Sequence, residues 1–100
     1  MKDYAQHHDA HVRLTILRLL AGAAEYSAND SVLVAAVRGM GLACTRDQLR
    51  GHLSWLAEQR MLTLLHPSET LAVATITERG GDVAAGRSSV QGIARPSPGS

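Results

Sequence analysis

Cysteine occurs once in this chain of 100 residues, phenylalanine not at all, and only three residues are aromatic. The single thiol, Cys44, excludes an internal disulfide and a multi-cysteine zinc centre, and it suits a reducing compartment. With Tyr4, Tyr26 and Trp55 as the aromatic complement, the core must be Leu, Val, Ile and Ala, and an aromatic platform for single-stranded nucleic acid is argued against. The apolar runs are too short and too interrupted to span a bilayer. The polar N-terminus, residues 1–9, lacks the pattern of a signal peptide. A cytoplasmic protein with no membrane partner is the expectation. Excess charge is also missing: ten Lys+Arg against nine Asp+Glu leave +1, little for a nucleic-acid binder.

What is there is 45% hydrophobic, enough for one small domain with a core. The basic residues are Lys2 and nine arginines. Arginine suits bidentate contact with guanine or phosphate. The alternative is that it merely replaces lysine in a GC-rich coding sequence.

The spacing of Val12, Ile16, Leu17, Leu19, Leu20 and Ala23 predicts a first helix over about 9–23. Residues 27–31 are rich in capping side chains, with Asn29 the N-cap of a second helix over about 30–40. Val32, Leu33, Ala36, Val37 and Met40 are its expected apolar face. Gly39 and Gly41 stop it, Gly41 in the left-handed conformation. A short turn, Leu42-Ala43-Cys44, leads to a third helix. Thr45-Arg46-Asp47-Gln48 reads as a capping box, hydroxyl and amide each serving the other residue's backbone N–H. Residues 61–65 and 71–76 read as strands of a hairpin around a turn at 66–70, with Pro67 at its second position. Thr77 caps a short fourth helix over 78–85, weakened by Gly80 and Gly81 and ended by Gly86. Residues 87–100 are Ser-, Gly- and Pro-rich, expected to be extended or disordered.

The predicted fold is mainly α with a small β-hairpin: a winged helix-turn-helix with a three-helix core, a two-stranded wing and a short C-terminal helix. It fills residues 1–86, and 87–100 form a flexible or extended tail.

The third helix carries the functional expectation. Leu49, Leu53, Leu56 and Ala57 share one face; Arg46, Asp47, Arg50 and Ser54 share another. That is the layout of a recognition helix. Arg46 and Arg50 would reach base edges or phosphates in the major groove of double-stranded DNA. Thr45, Gln48 and Ser54 would assist, and Gly51 would permit close approach. The plainer alternative is a solvated face of an ordinary surface helix, and Asp47 counts against a phosphate role. Between Leu62 and Ile76 there is no Lys or Arg, so the wing is expected to add little to DNA binding.

Other motifs carry less chemistry. His7, His8 and His11 have helical spacing but lack the glutamate of a metalloprotease motif, and no metal site is expected. Cys44 precedes a helix N-terminus, where a thiol is activated; the competing reading is a small buried apolar residue. Trp55 is expected at a core edge or dimer contact. With no phosphate loop, nucleophile-base set or carboxylate pair, neither an enzyme nor a cofactor is expected.

Residues 45–62 resemble the capped recognition helix and following strand of winged helix-turn-helix proteins of the broad ArsR/MarR type. Ile76-Thr77-Glu78-Arg79-Gly80-Gly81-Asp82-Val83-Ala84-Ala85-Gly86, followed by Gly92-Ile93-Ala94-Arg95-Pro96, resemble the ending of small ArsR-like proteins of Mu-like phages and prophages. This resemblance implies a winged helix that binds DNA. Cys44 has no second cysteine near it, so metal sensing is not implied. The expectation is therefore a cytoplasmic, phage-derived transcriptional regulator, a homodimer joined through helix one and the C-terminal segment, with no small-molecule effector. The alternative is a winged-helix assembly or interaction module with a phage or host protein partner.

Overall fold

The helices that begin at Asp30, Arg46 and Glu78 each follow a side chain that accepts from one of their free N–H groups. In the computed structural model, which describes residues 2–97, the order is α1 (Lys2–Ala21), a 3-10 turn (Ala24–Tyr26), β1 (Ser27–Asn29), α2 (Asp30–Gly39), α3 (Arg46–Glu58), β2 (Leu62–Ser68), β3 (Leu71–Ile76) and α4 (Glu78–Ala84). Four helices and a three-stranded antiparallel sheet, ordered β1-β3-β2, make a compact α+β fold.

The caps fall where the sequence places them. Asn29 Oδ1 accepts from the Val32 N–H at 2.8 Å. Gln48 N donates to Thr45 Oγ1 at 3.1 Å and Thr45 N to Gln48 Oε1 at 3.0 Å, the reciprocal capping box. Thr77 Oγ1 accepts from Gly80 N at 3.1 Å. Each such cap contributes about 1 kcal/mol. Gly41, at φ +83°, closes α2, with Leu42 N bonded to Val37 O and Gly41 N to Arg38 O. α3 ends by the same pair of bonds, Met61 N to Leu56 O and Arg60 N to Ala57 O, but with Arg60 in the left-handed position at φ 63°.

Four expectations are corrected. α1 begins at Lys2, seven residues before the predicted start, and includes the polar segment ahead of its apolar stripe; within it Tyr4 stacks on His8 one turn later, ring centroids 6.3 Å apart. The sheet has three strands rather than two. β1 pairs with β3 through Ser27↔Thr75, Ala28↔Ala74 and Asn29↔Val73, reinforced by a 2.6 Å hydrogen bond between the Ser27 and Thr75 hydroxyls. β2 continues through Pro67 to Ser68, with an irregularity between Leu65 and Ser68. Proline is tolerated there because β2 is an edge strand, and the turn shrinks to Glu69-Thr70. Finally, α2 buries Leu33, Val34 and Val37 and leaves Val32 and Met40, 57% and 61% exposed, outside. The reason is Asp30. It is fully buried, and positions 30, 33, 34 and 37 form one helical stripe.

The core gathers Ile16, Leu17 and Leu20 of α1, Leu33 and Val37 of α2, Leu49, Leu53 and Leu56 of α3, and Val83 of α4. Gly80 is required where α4 crosses Met61: a Cβ there would stand 2.0 Å from the Met61 carbonyl oxygen. After α4 the chain forms no further helix or strand through Ser97, but it docks on α1. Ala94 N donates to Ala10 O at 3.1 Å, Arg13 Nη1 to Gly92 O at 3.0 Å, and Ile93 joins the core. The core thus draws on residues beyond position 86. Among the described residues no helix is long and apolar enough to cross a membrane.

Candidate nucleic-acid interface

α3 is fixed to the body by Leu49, Leu53 and Leu56, all buried, which turns the opposite face outward. Thr45, Arg46, Gln48 and Ser54 are exposed and Arg50 is half-buried. The Thr45 hydroxyl and the Gln48 amide oxygen are committed to the capping box. The outermost line of the helix, by spacing and exposure, is Asp47, Gly51, Ser54 and Glu58. It carries two carboxylates and no cation. The two arginines stand on the flank toward α2 and the hairpin.

There the structure brings both of them to one carboxylate. Arg46 Nη2 lies 3.3 Å from each oxygen of Asp30, and Arg50 Nε lies 3.2 Å from Asp30 Oδ2. Asp30 Oδ1 also accepts from the Ser31 N–H at 3.0 Å. A buried carboxylate must be paired and hydrogen-bonded to be tolerated, and Asp30, at 0% exposure, meets that condition with two guanidinium groups. Arg46 keeps 45% of its side chain exposed. Its Nη2 also donates to the Thr70 carbonyl oxygen at 2.6 Å, so the first turn of α3 holds the hairpin tip. The hairpin itself offers exposed Leu65, His66, Ser68 and Glu69. A further arginine, Arg38, donates from Nε to Cys44 O at 2.8 Å and clasps the turn between α2 and α3. Asp30 went unrecognised in the sequence as a member of the site; the signal was its phase with Leu33, Val34 and Val37.

On the opposite flank, α3 meets α1. Arg13 lies over the Trp55 ring, its guanidinium carbon 4.2 Å from the centroid. It donates from Nε to His52 Nδ1 at 3.2 Å. That bond places the His52 proton on Nε2, which faces Asp9 Oδ1 at 3.6 Å; His8 Nδ1 lies 4.0 Å from the same oxygen. Burial, and then the Arg13 charge, push His52 below its ordinary pKa against the opposing pull of Asp9. These residues line an open cleft of about 680 Å³ with Tyr4, Cys44 and Gln48. His7 and His11 are exposed, apart from it. Among the described residues no group of three His, Cys, Asp or Glu is placed to hold a metal ion. Cys44 is buried, its Sγ 3.4 Å from the Thr45 carbonyl oxygen. Burial raises its pKa despite Arg38 nearby, the opposite of an activated thiol.

The chain is similar to a protein of Escherichia phage Mu, "Uncharacterized protein gp26". The two are 42% identical over 86 residues, covering 86% of this chain and 88% of that protein. It is also 42% identical over 67 residues to an "Uncharacterized protein" of Haemophilus influenzae, covering 67% of this chain and 65% of that one. The expected likeness to small proteins of Mu-like phages accords with the first; neither relative's name speaks of ArsR, MarR or a winged helix. No protein-family model matches the chain, and no solved structure matches it.

Proposed function

The chain belongs to the family of the phage Mu protein gp26, and we propose that it is a winged-helix protein, encoded by a Mu-like phage or prophage, that binds double-stranded DNA in the host cytoplasm and regulates transcription. The observation that carries this reading is the placement of α3. It follows α2 across a short turn, exposes its capped N-terminal turn, and stands beside an antiparallel hairpin that Arg46 ties to it. Such a helix enters the major groove with its N-terminal residues toward the bases. Arg46 and Arg50 supply contacts to base edges or phosphates, and Thr45, Gln48 and Ser54 assist. A homodimer presents two such helices to half-sites about one helical turn apart.

The test is fluorescence anisotropy of labelled duplexes from the gene's own genomic neighbourhood, titrated over a salt series against a scrambled duplex. Salt-sensitive, preferential binding supports the reading. A folded protein that binds no duplex at low salt overturns it.

A second reading, a protein-interaction or phage assembly module, is favoured by one observation. The outermost line of α3 bears Asp47 and Glu58, and the hairpin bears no Lys or Arg. On that reading duplex affinity stays weak and indifferent to sequence.

A further inference from the structure

We propose that Asp30 is a specificity-determining residue: a buried carboxylate that competes with outside anions for Arg46 and Arg50 and so holds α3 back from indiscriminate attachment to polyanions. The inference rests on the reading of α3 as the DNA-facing helix.

Two arginines one turn apart at the start of an exposed helix are, by themselves, a sequence-blind phosphate clamp. Here they share one carboxylate. Asp30 is fully buried, its oxygens 3.3 Å from Arg46 Nη2 and 3.2 Å from Arg50 Nε. The three side chains together present the net charge of a single cation. The pairing also fixes where the guanidinium groups sit. Arg46 is held by Asp30 on one side and by the Thr70 carbonyl on the other, and Arg50 is half-buried against the same acid. A duplex whose groove meets those fixed edges gains contacts without moving them. A generic polyanion must draw the arginines away from Asp30, which strands a buried charge. The neighbouring acids cannot serve in its place: Asp47 and Glu58 lie on the outer line of α3 in solvent, where ion pairs are weak. Discrimination thus comes from an internal competitor as well as from base contacts.

Four proteins test this: wild type, Asp30→Asn, Asp47→Asn, and the triple variant Asp30→Asn/Arg46→Gln/Arg50→Gln. The triple variant replaces the simple loss of both arginines, which would leave Asp30 buried and unpaired and risk unfolding. Each is checked for a native circular dichroism spectrum. If Asp30→Asn does not fold, Asp30→Ser, which keeps an oxygen for the Ser31 N–H, takes its place. The readouts are the salt needed to elute each protein from heparin and the salt slope of scrambled-duplex binding. The expected elution order is triple variant, wild type, then Asp30→Asn. The slope of log affinity on log salt steepens by about 0.9 from wild type to Asp30→Asn, one phosphate neutralised, and preference for the neighbourhood duplex falls. Elution and slope equal to wild type in a folded Asp30→Asn overturn the proposal. If wild type prefers no duplex, the DNA reading fails. An Asp30→Asn delay on heparin larger than that of Asp47→Asn, which removes the same charge from the exposed line of α3, still shows that Asp30 masks the arginines, and an equal delay overturns it.

Discussion

Arg46 Nη2 donates to the Thr70 carbonyl oxygen at 2.6 Å, joining the first turn of α3 to the tip of the β2–β3 hairpin. The same nitrogen reaches the buried Asp30, so one side chain connects α2, α3 and the hairpin.

Arg46→Met should cut that connection while keeping the aliphatic stem. Asp30 would retain Arg50 alone, and a buried acceptor short of a partner costs about 1–3 kcal/mol. Urea denaturation should register a loss of that size. Amide exchange should quicken in the hairpin around Thr70 and at the start of α2. An unchanged midpoint with unchanged hairpin exchange would contradict the connection.

Gly80 and Gly81 should respond oppositely to alanine. At Gly80 a Cβ meets the Met61 carbonyl oxygen at 2.0 Å, whereas at Gly81 nothing lies within 4 Å. Gly80→Ala must shift backbone and should lose about 1–3 kcal/mol. Gly81→Ala should gain up to about 1 kcal/mol in helix propensity. Thermal melts of both variants check the pair, and equal effects would contradict the close crossing of α4 over Met61.

Arg60 closes α3 at φ 63°, a conformation costing a side-chain-bearing residue about 1 kcal/mol. Arg60→Gly should raise the melting temperature, less the greater chain entropy that glycine brings to the unfolded state. A lower melting temperature would show that the Arg60 side chain contributes more than its backbone costs.

Acid should weaken the protein partly through His52. Its folded pKa is depressed by burial and by Arg13, so the unfolded chain takes up the proton first as pH falls. The associated stability is present above the ordinary histidine value of about 6.5 and is lost as pH drops below it. A protonated ring can no longer accept from Arg13 Nε. Melting temperature followed from pH 7.5 downward should fall less steeply in His52→Gln than in wild type. Equal slopes would show that His52 does not contribute to the loss of stability in acid.

The features legible in the sequence are those decided within a few residues. Asn29, Thr45 with Gln48, and Thr77 cap helices because each needs only a backbone N–H three positions on. The apolar run between Thr70 and the Thr77 cap likewise marks β3 at 71–76. What stayed hidden depends on distant partners. β1 is three residues whose pairing lies across the chain on β3, too short for any periodicity. The apolar face expected of α2 omits Val34 because nothing near Asp30 in sequence marks it as buried; its arginine partners sit on the next helix. Residues 87–97 read as loop by composition, while Ile93 is buried and Gly92 is held by Arg13 of α1. At the candidate site, type and spacing single out Arg46 and Arg50, whereas the acid that both of them meet is set by packing between α2 and α3.

Amide chemical shifts of the isotope-labelled protein, followed while a duplex from its genomic neighbourhood is added, report whether α3 meets DNA. The largest changes should fall on the N-terminal half of α3, from Thr45 to Ser54, with smaller ones at the hairpin tip near Thr70. Shifts that are absent at low salt, or that cluster on α1 or α4 and spare α3, would contradict DNA contact by α3.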